Sequence, residues 1–115
     1  IGKRENKVKL LPSIKKLDEM GYKLYATYKN HKFLKTNGIE TILVNKISQP
    51  HLQPNLGNLL DANRFDLIIN IPLEKEVTQS DGKIIRQKAI EHNVPIFTSV
   101  HLASAFIEKL QKATV

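Results

Sequence analysis

The chain has 115 residues, 41% of them hydrophobic and 25% charged, and no cysteine. This describes one domain with room for a core; it excludes a disordered tail, a disulfide scaffold and a thiolate metal site. Lys and Arg outnumber Asp and Glu by 18 to 11, a net charge of +7, so anionic partners come first: nucleic acid, phosphorylated metabolites or acidic lipid.

The chain opens on Ile1 and Gly2 and turns at once to the polar run KREN. If those two residues end a strand, its beginning lies upstream, and the chain is expected to be a single domain, residues 1–115, excised from a longer polypeptide. From Lys7 to Met20, Leu10, Ile14 and Leu17 recur at helical spacing, with Leu11 widening the stripe, and Gly21 stands where a C-terminal cap belongs. Pro12 either opens this helix or sits inside one capped by Asn6. A strand follows at Lys23 to Ala26, then a short helix from about His31 to Thr36 closed by Asn37 and Gly38, then a strand from Thr41 to Val44.

Pro50 and Pro54 break up the next loop, and Leu56, Leu59 and Leu60 predict another helix. Asp66 to Ile71, DLIINI, is an apolar run of the kind found in strands covered on both faces. Ser80 or Asp81 can cap a helix carrying Ile84, Ile85, Ala89 and Ile90; Val94 to Phe97 reads as a short strand, and Val100 to Lys112 as a helix with Leu102, Phe106 and Leu110 on one face. Strands alternating with helices predict parallel strands joined by crossovers, an open α/β sheet in three layers.

Ligands of such sheets bind at the carboxyl ends of the strands, where helix N-termini also point. The predicted exits offer Thr27, Lys29 and Asn30; Asn45 and Lys46; Asn70; and Thr98 and Ser99, while a truncated first strand would add Lys3, Arg4 and Lys7. Each hydroxyl or amide, taken alone, is accounted for as a helix cap, and each lysine as solvated surface. Together on one edge, these groups match the oxygens of a phosphate without supplying catalytic groups.

Other chemistry has little support. His31, His51, His92 and His101 lie on separate segments without a metal-ligand spacing, so no metal site is expected. For His92, beside Asn93 near a helix end, solvent and the helix dipole are the plain account. Neither phosphate-loop motif occurs, and Ser99 and Ser104 lack the glycines of a nucleophile elbow. The aromatics are scattered at core-like positions and form no stacking platform, so no nucleic-acid partner is expected. No apolar run nears the roughly 18 residues of a membrane span, so no membrane partner is expected, and the lack of cysteine fits a cytoplasmic location.

The ordered segments KLYAT, LVNK, DLIINIP, IIRQKAI and VPIFT resemble the methylglyoxal-synthase-like superfamily, and within it the C-terminal allosteric domain of the carbamoyl-phosphate synthase large chain. The resemblance implies a five-stranded parallel sheet, its first strand truncated here, with a regulatory ligand at the strand carboxyl ends. Bacterial relatives take a nucleotide of the UMP or IMP type. Animal relatives take N-acetylglutamate, or UTP and phosphoribosyl pyrophosphate.

Carried over, Lys7 and Thr27 are implied phosphate contacts, Lys46 the lysine of nucleotide-binding members, and Asn70 the asparagine closing the pocket; Asn30 and Thr98 join this effector site. Lys46 stands where relatives that bind N-acetylglutamate carry a tryptophan, which disfavours that ligand. Asn30, Pro72 and Leu73 depart from the family pattern, and each subtracts a donor. The resemblance further implies catalytic domains of a parent chain as partners, a glutaminase small subunit beside them, and ATP and magnesium for the parent, with no cofactor in this domain.

The superfamily also holds a lyase, methylglyoxal synthase, whose base is a carboxylate after the second strand. The interval Thr41 to Leu60 has no Asp or Glu, and Gln53 occupies about that place; an amide cannot take the substrate proton as a carboxylate does. A cyclohydrolase domain of similar fold is a third possibility, but its usual serine-lysine-threonine start is absent from this chain, and a plain interaction module binding no anion is the remaining alternative.

Overall fold

Residues 4–70 and 81–113 are described by a computed structural model. In chain order they form α1 (Arg4–Glu19), β1 (Tyr25–Ala26), α2 (Tyr28–Thr36), β2 (Ile42–Leu43), α3 (Leu56–Asp61), β3 (Ile68–Ile69), α4 (Asp81–Glu91), β4 (Ile96–Phe97) and α5 (Val100–Ala113). The alternation expected from the sequence is present, and the fold is α/β.

Strand pairing is parallel throughout the described residues: β1 with β2, Tyr25 opposite Ile42, and β3 with β4, Ile68 opposite Ile96. These are two separate two-stranded ladders, where a single five-stranded sheet is expected. The expected first strand falls on Ile1 and Gly2, and Lys3, Pro72, Leu73 and Ser80 likewise lie outside the described residues. Among the described residues no strand pairs with both, and β1 and β3 each end a ladder. Leu67 to Asn70, expected to be covered on both faces, are accordingly only half-buried.

Helix ends follow a common rule. At the end of α1 the Gly21 N–H donates to Asp18 C=O and the Tyr22 N–H to Leu17 C=O, the paired bonds of a Schellman stop, which needs a left-handed residue. The same pair recurs after α2 at Gly38 and Ile39, after α3 at Asn63 and Arg64, and after α4 at Asn93 and Val94. Gly21 and Gly38 take φ of 88° and 80°, and Asn63 and Asn93 take 55° and 56°. Asparagine is among the few side chains that adopt this conformation readily.

Leu10, Ile14 and Leu17 bury one stripe of α1, as their spacing requires. Pro12 lies inside this helix, which begins at Arg4, so neither expected start is the observed one. Pro12 removes the N–H that would bond the Val8 carbonyl, and both residues are exposed, so water can serve that carbonyl. On α5 the buried residues are Ala103 and Ile107, while Leu102, expected inside, is 58% exposed. The small Ala103 permits the close approach of α5 to α1, and the inward face is thereby rotated by one residue from the expected one.

Leu10 and Ile14 share a core cluster with Ala26, Leu34 of α2, Ile39 and Ala103 of α5. This places α1, α2 and α5 together, while α3 packs on α4. Each fully buried Leu or Ile in that layer contributes about 1.5–3 kcal/mol relative to exposure.

Candidate functional site

Between the two ladders lies a cavity of about 430 Å³. One wall is the segment from Tyr22 to Thr27, the other the segment from Arg64 to Asn70, with Ile14, Leu17, Leu34, Val44 and Ile85 contributing aliphatic surface. At the carboxyl ends of β1 and β3 the cavity is bordered by Thr27, Asn30 and Asn70. Three of the six residues proposed from sequence therefore border one cavity: Thr27 and Asn70 directly follow β1 and β3, and Asn30 lies one turn into α2.

Thr27 holds the N-cap position of α2, with extended backbone at φ −71° and ψ 165°, yet its hydroxyl caps no backbone N–H. The cap expected at Asn30 is thus one turn early: Asn30 lies inside α2, and its Nδ2 donates to Thr27 Oγ1 at 3.4 Å. The first turn of α2 has no acidic residue, so the positive end of the helix dipole is not neutralised locally. Asn70 is fixed by its backbone N–H, which donates to Phe97 C=O at 2.9 Å. Its side-chain Nδ2 is buried and has no hydrogen-bond partner, a state that costs about 1–3 kcal/mol unless something accepts from it.

The other three residues lie elsewhere. Lys7, on α1, places Nζ 6.0 Å from the centroid of the Phe33 ring, at the limit of a cation–π contact. Lys46 is exposed on the loop from β2 to α3, and Thr98 is exposed after β4. None of the three borders the cavity.

That loop is organised by Asn55, which the sequence reading missed. Only 3% exposed, Asn55 donates through Nδ2 to the carbonyls of Lys46 at 2.8 Å and Gln49 at 3.0 Å, and its Oδ1 accepts from the Gly57 N–H at 2.9 Å. Asn45 closes the loop, donating to Pro54 C=O and accepting from the Leu56 N–H. The available signal was local: an asparagine just ahead of the apolar residues Leu56, Leu59 and Leu60. By gripping the Lys46 backbone, Asn55 fixes where the lysine leaves the loop.

Elsewhere two of the histidines have side-chain partners. His31 Nδ1 and Thr41 Oγ1 share a hydrogen bond that joins α2 to the approach of β2. His92 lies 3.1 Å from Asn63 Oδ1 and 3.3 Å from Asp61 Oδ1, through Nδ1 and Nε2 respectively, so it has contacts beyond the solvent and dipole expected. Asp61 also accepts from Lys88 at 2.8 Å, and the Lys88 hydrogen bond, aided by His92, holds its carboxyl below the usual range. Among the described residues no three His, Cys, Asp or Glu side chains are grouped to hold a metal, and no helix is long and apolar enough to cross a membrane.

A family model described as MGS-like domain matches residues 9–98. The chain is 36% identical over 101 residues to the carbamoyl phosphate synthase large chain of Agathobacter rectalis, covering 87% of this chain and 9% of that protein. It is 34% identical over 106 residues to the carbamoyl phosphate synthase large chain, C-terminal section, of Methanopyrus kandleri, covering 92% and 19% respectively. A third relative, the carbamoyl phosphate synthase large chain of Clostridium botulinum, is 35% identical over 103 residues, covering 90% of this chain and 10% of that protein. The chain therefore spans about a tenth of the large chains from Agathobacter and Clostridium, and about a fifth of the C-terminal section.

Proposed function

The chain belongs to the MGS-like domain family, and from that premise we propose that it is the allosteric domain of a carbamoyl-phosphate synthase large chain, binding a phosphorylated nucleotide of the UMP or IMP type. The observation that carries the reading is the meeting of Thr27, Asn30 and the partnerless Nδ2 of Asn70 at one cavity, beside the N-terminus of α2. A hydroxyl, two amides and a helix N-terminus are donors to phosphate oxygens. Thr27 and Asn70 would hold the anion from two sides, Asn30 would turn its amide from Thr27 to the ligand, and Lys7, Lys46 and Thr98 would add charge and a further hydroxyl from the surrounding edge.

In this reading the domain does not transform its ligand. The loop from Asn45 to Asn55 carries no carboxylate, so the family's lyase step has no base there. The effector acts by binding two states of the parent unequally, and a typical coupling of about 1–3 kcal/mol would suffice. The parent's catalytic domains are the proposed partners, with a glutaminase subunit beside them; ATP and magnesium belong to the parent's chemistry, in the cytoplasm. The sheet is proposed to be five-stranded in the intact polypeptide.

Titration calorimetry of the chain with UMP, IMP and inorganic phosphate tests the site. Saturable binding that Thr27→Val weakens is expected. Flat titrations with all three would instead favour a module that binds no anion, and release of inorganic phosphate from dihydroxyacetone phosphate would favour the lyase.

A further inference from the structure

We infer that α3 is a strut tying the loop that carries Lys46, at the ligand edge of the sheet, to the last turn of α4 at the opposite edge, and that occupancy of the anion site is passed to α4 through it. The second half rests on the anion reading above; the first does not.

Two contacts fasten the near end of the strut. Asn55 caps α3 by accepting from the Gly57 N–H, and the same side chain holds the Lys46 and Gln49 carbonyls, so helix and loop share one fastening. Gly57 is buried on the side that meets the loop. A Cβ on Gly57 would lie 3.2 Å from Asn55 Oδ1 and 3.5 Å from Ile47 Cγ1, so glycine lets Ile47 rest directly on the helix. Asn45, bridged to Asn55 where β2 ends, keeps this assembly at the carboxyl edge, and Leu56 borders the cavity.

The far end is fastened by side chains. The six residues of α3 span roughly 9 Å, which carries Asp61 toward the amino edge, where the chain turns to enter β3. There Asp61 Oδ1 accepts from Lys88 Nζ at 2.8 Å and lies 3.3 Å from His92 Nε2, while Asn63 Oδ1 lies 3.1 Å from His92 Nδ1. Lys88 is in the last turn of α4, and His92 directly follows that helix. Both ring nitrogens of His92 are engaged, so the cluster is a clasp; a catalytic pair would keep one nitrogen for substrate. Between the two ends Leu60 is fully buried and α3 packs on α4. A helix this short, pinned at both ends and along its side, has no internal hinge and moves as one body.

Amide hydrogen exchange in the 115-residue chain tests the strut. The loop is reported by Gln49 and Leu56, whose N–H groups bond to the Lys46 and Asn45 carbonyls, and α4 by His92 and Val94, which bond to Lys88 and Ala89; Tyr22 and Ile39, at the stops of α1 and α2, are controls. Asp61→Ala removes the clasp and keeps a good helix former. It is expected to speed exchange about threefold or more at Gln49 and Leu56 as well as at His92 and Val94, with the controls unchanged. Gly57→Ala, which presses on Asn55 and Ile47 from the other end, is expected to alter both pairs in the same direction. Changes confined to the altered end, or equal changes at the controls, overturn the strut. Titration with UMP then reads the second half: the His92 and Val94 amide resonances should shift on saturation of the wild type and stay in place in saturated Asp61→Ala. Binding without that shift, or the same shift in Asp61→Ala, overturns the route to α4. If exchange is coupled and UMP does not bind, the strut stands and the second half falls with the anion reading.

Discussion

The ring of Phe65 meets the ring of Tyr25 edge-on, with centroids 5.2 Å apart and planes inclined at 79°. Tyr25 belongs to β1, and Phe65 leads into β3, so this pair joins the two ladders across the cavity. Such a pair is worth about 0.5–1.5 kcal/mol beyond the area it buries. A double-mutant cycle with Tyr25→Leu and Phe65→Leu, followed by urea unfolding, should return a coupling energy in that range. Strict additivity of the two changes would mean that the rings stabilise their own ladders separately.

Asn55→Ala should be among the most damaging single changes outside the aliphatic core. It removes a cap, worth about 1 kcal/mol, and leaves the Lys46 and Gln49 carbonyls without their donor. A total loss of about 2–3 kcal/mol is expected from the denaturation midpoint. The calorimetric affinity for UMP should fall as well, because Lys46 loses the tether that fixes its backbone; unchanged affinity would remove Lys46 from the site.

Asn70→Ala should behave in the opposite sense. Its Nδ2 has no partner to lose, so unliganded stability should change by less than about 1 kcal/mol, or rise. Affinity for the phosphorylated ligand should fall about tenfold or more, since a hydrogen bond to a charged group contributes about 1.5–3 kcal/mol. A large loss of stability with no loss of affinity would make this asparagine structural only.

Asp61 gives a pH dependence. Its carboxyl is held below its ordinary value, with the Lys88 hydrogen bond the leading cause. A lowered folded pKa means that the unfolded chain takes up the proton first, so the stabilisation is full above the unfolded value of about 3.9 and is lost as pH falls through the folded value. The stability difference between the wild type and Asp61→Asn should therefore close on acidification. It should also shrink in 1 M salt, because the carboxylate is 53% exposed. Urea midpoints at several pH values check both trends.

The alternation of elements was legible because it is local: Leu10, Ile14 and Leu17 carry a helical period, and Gly21 and Gly38 mark stops that glycine favours. Asn63 and Asn93 make the same stop and went unread, since asparagine also serves as an N-cap and in turns. On α5 the period was right and the face was displaced, because the large apolar residues Leu102, Phe106 and Leu110 mark one stripe while the buried one carries the small Ala103 beside Ile107. Thr27 and Asn70 could be placed from the rule that strand exits share an edge. The distance of Lys46 from the cavity could not, as it depends on a loop tied by Asn55. Nor does any local pattern pair Tyr25 with Phe65, forty positions apart in the sequence.

The two asparagine-built stops bracket one histidine. Asn63 ends α3 and presents Oδ1 to the His92 ring, and the next residue, Asn93, ends α4 in the same left-handed turn. A glycine in place of Asn63 would relax the main chain and at the same time remove the partner of His92 Nδ1, leaving only the Nε2 contact to Asp61, so the gain and the loss oppose each other at one position. Among the described residues the Asn93 side chain has no hydrogen bond of this kind, and there the exchange should be nearly silent. Two sites with matching torsions would thus answer the same substitution differently, a distinction that backbone geometry alone would never reveal.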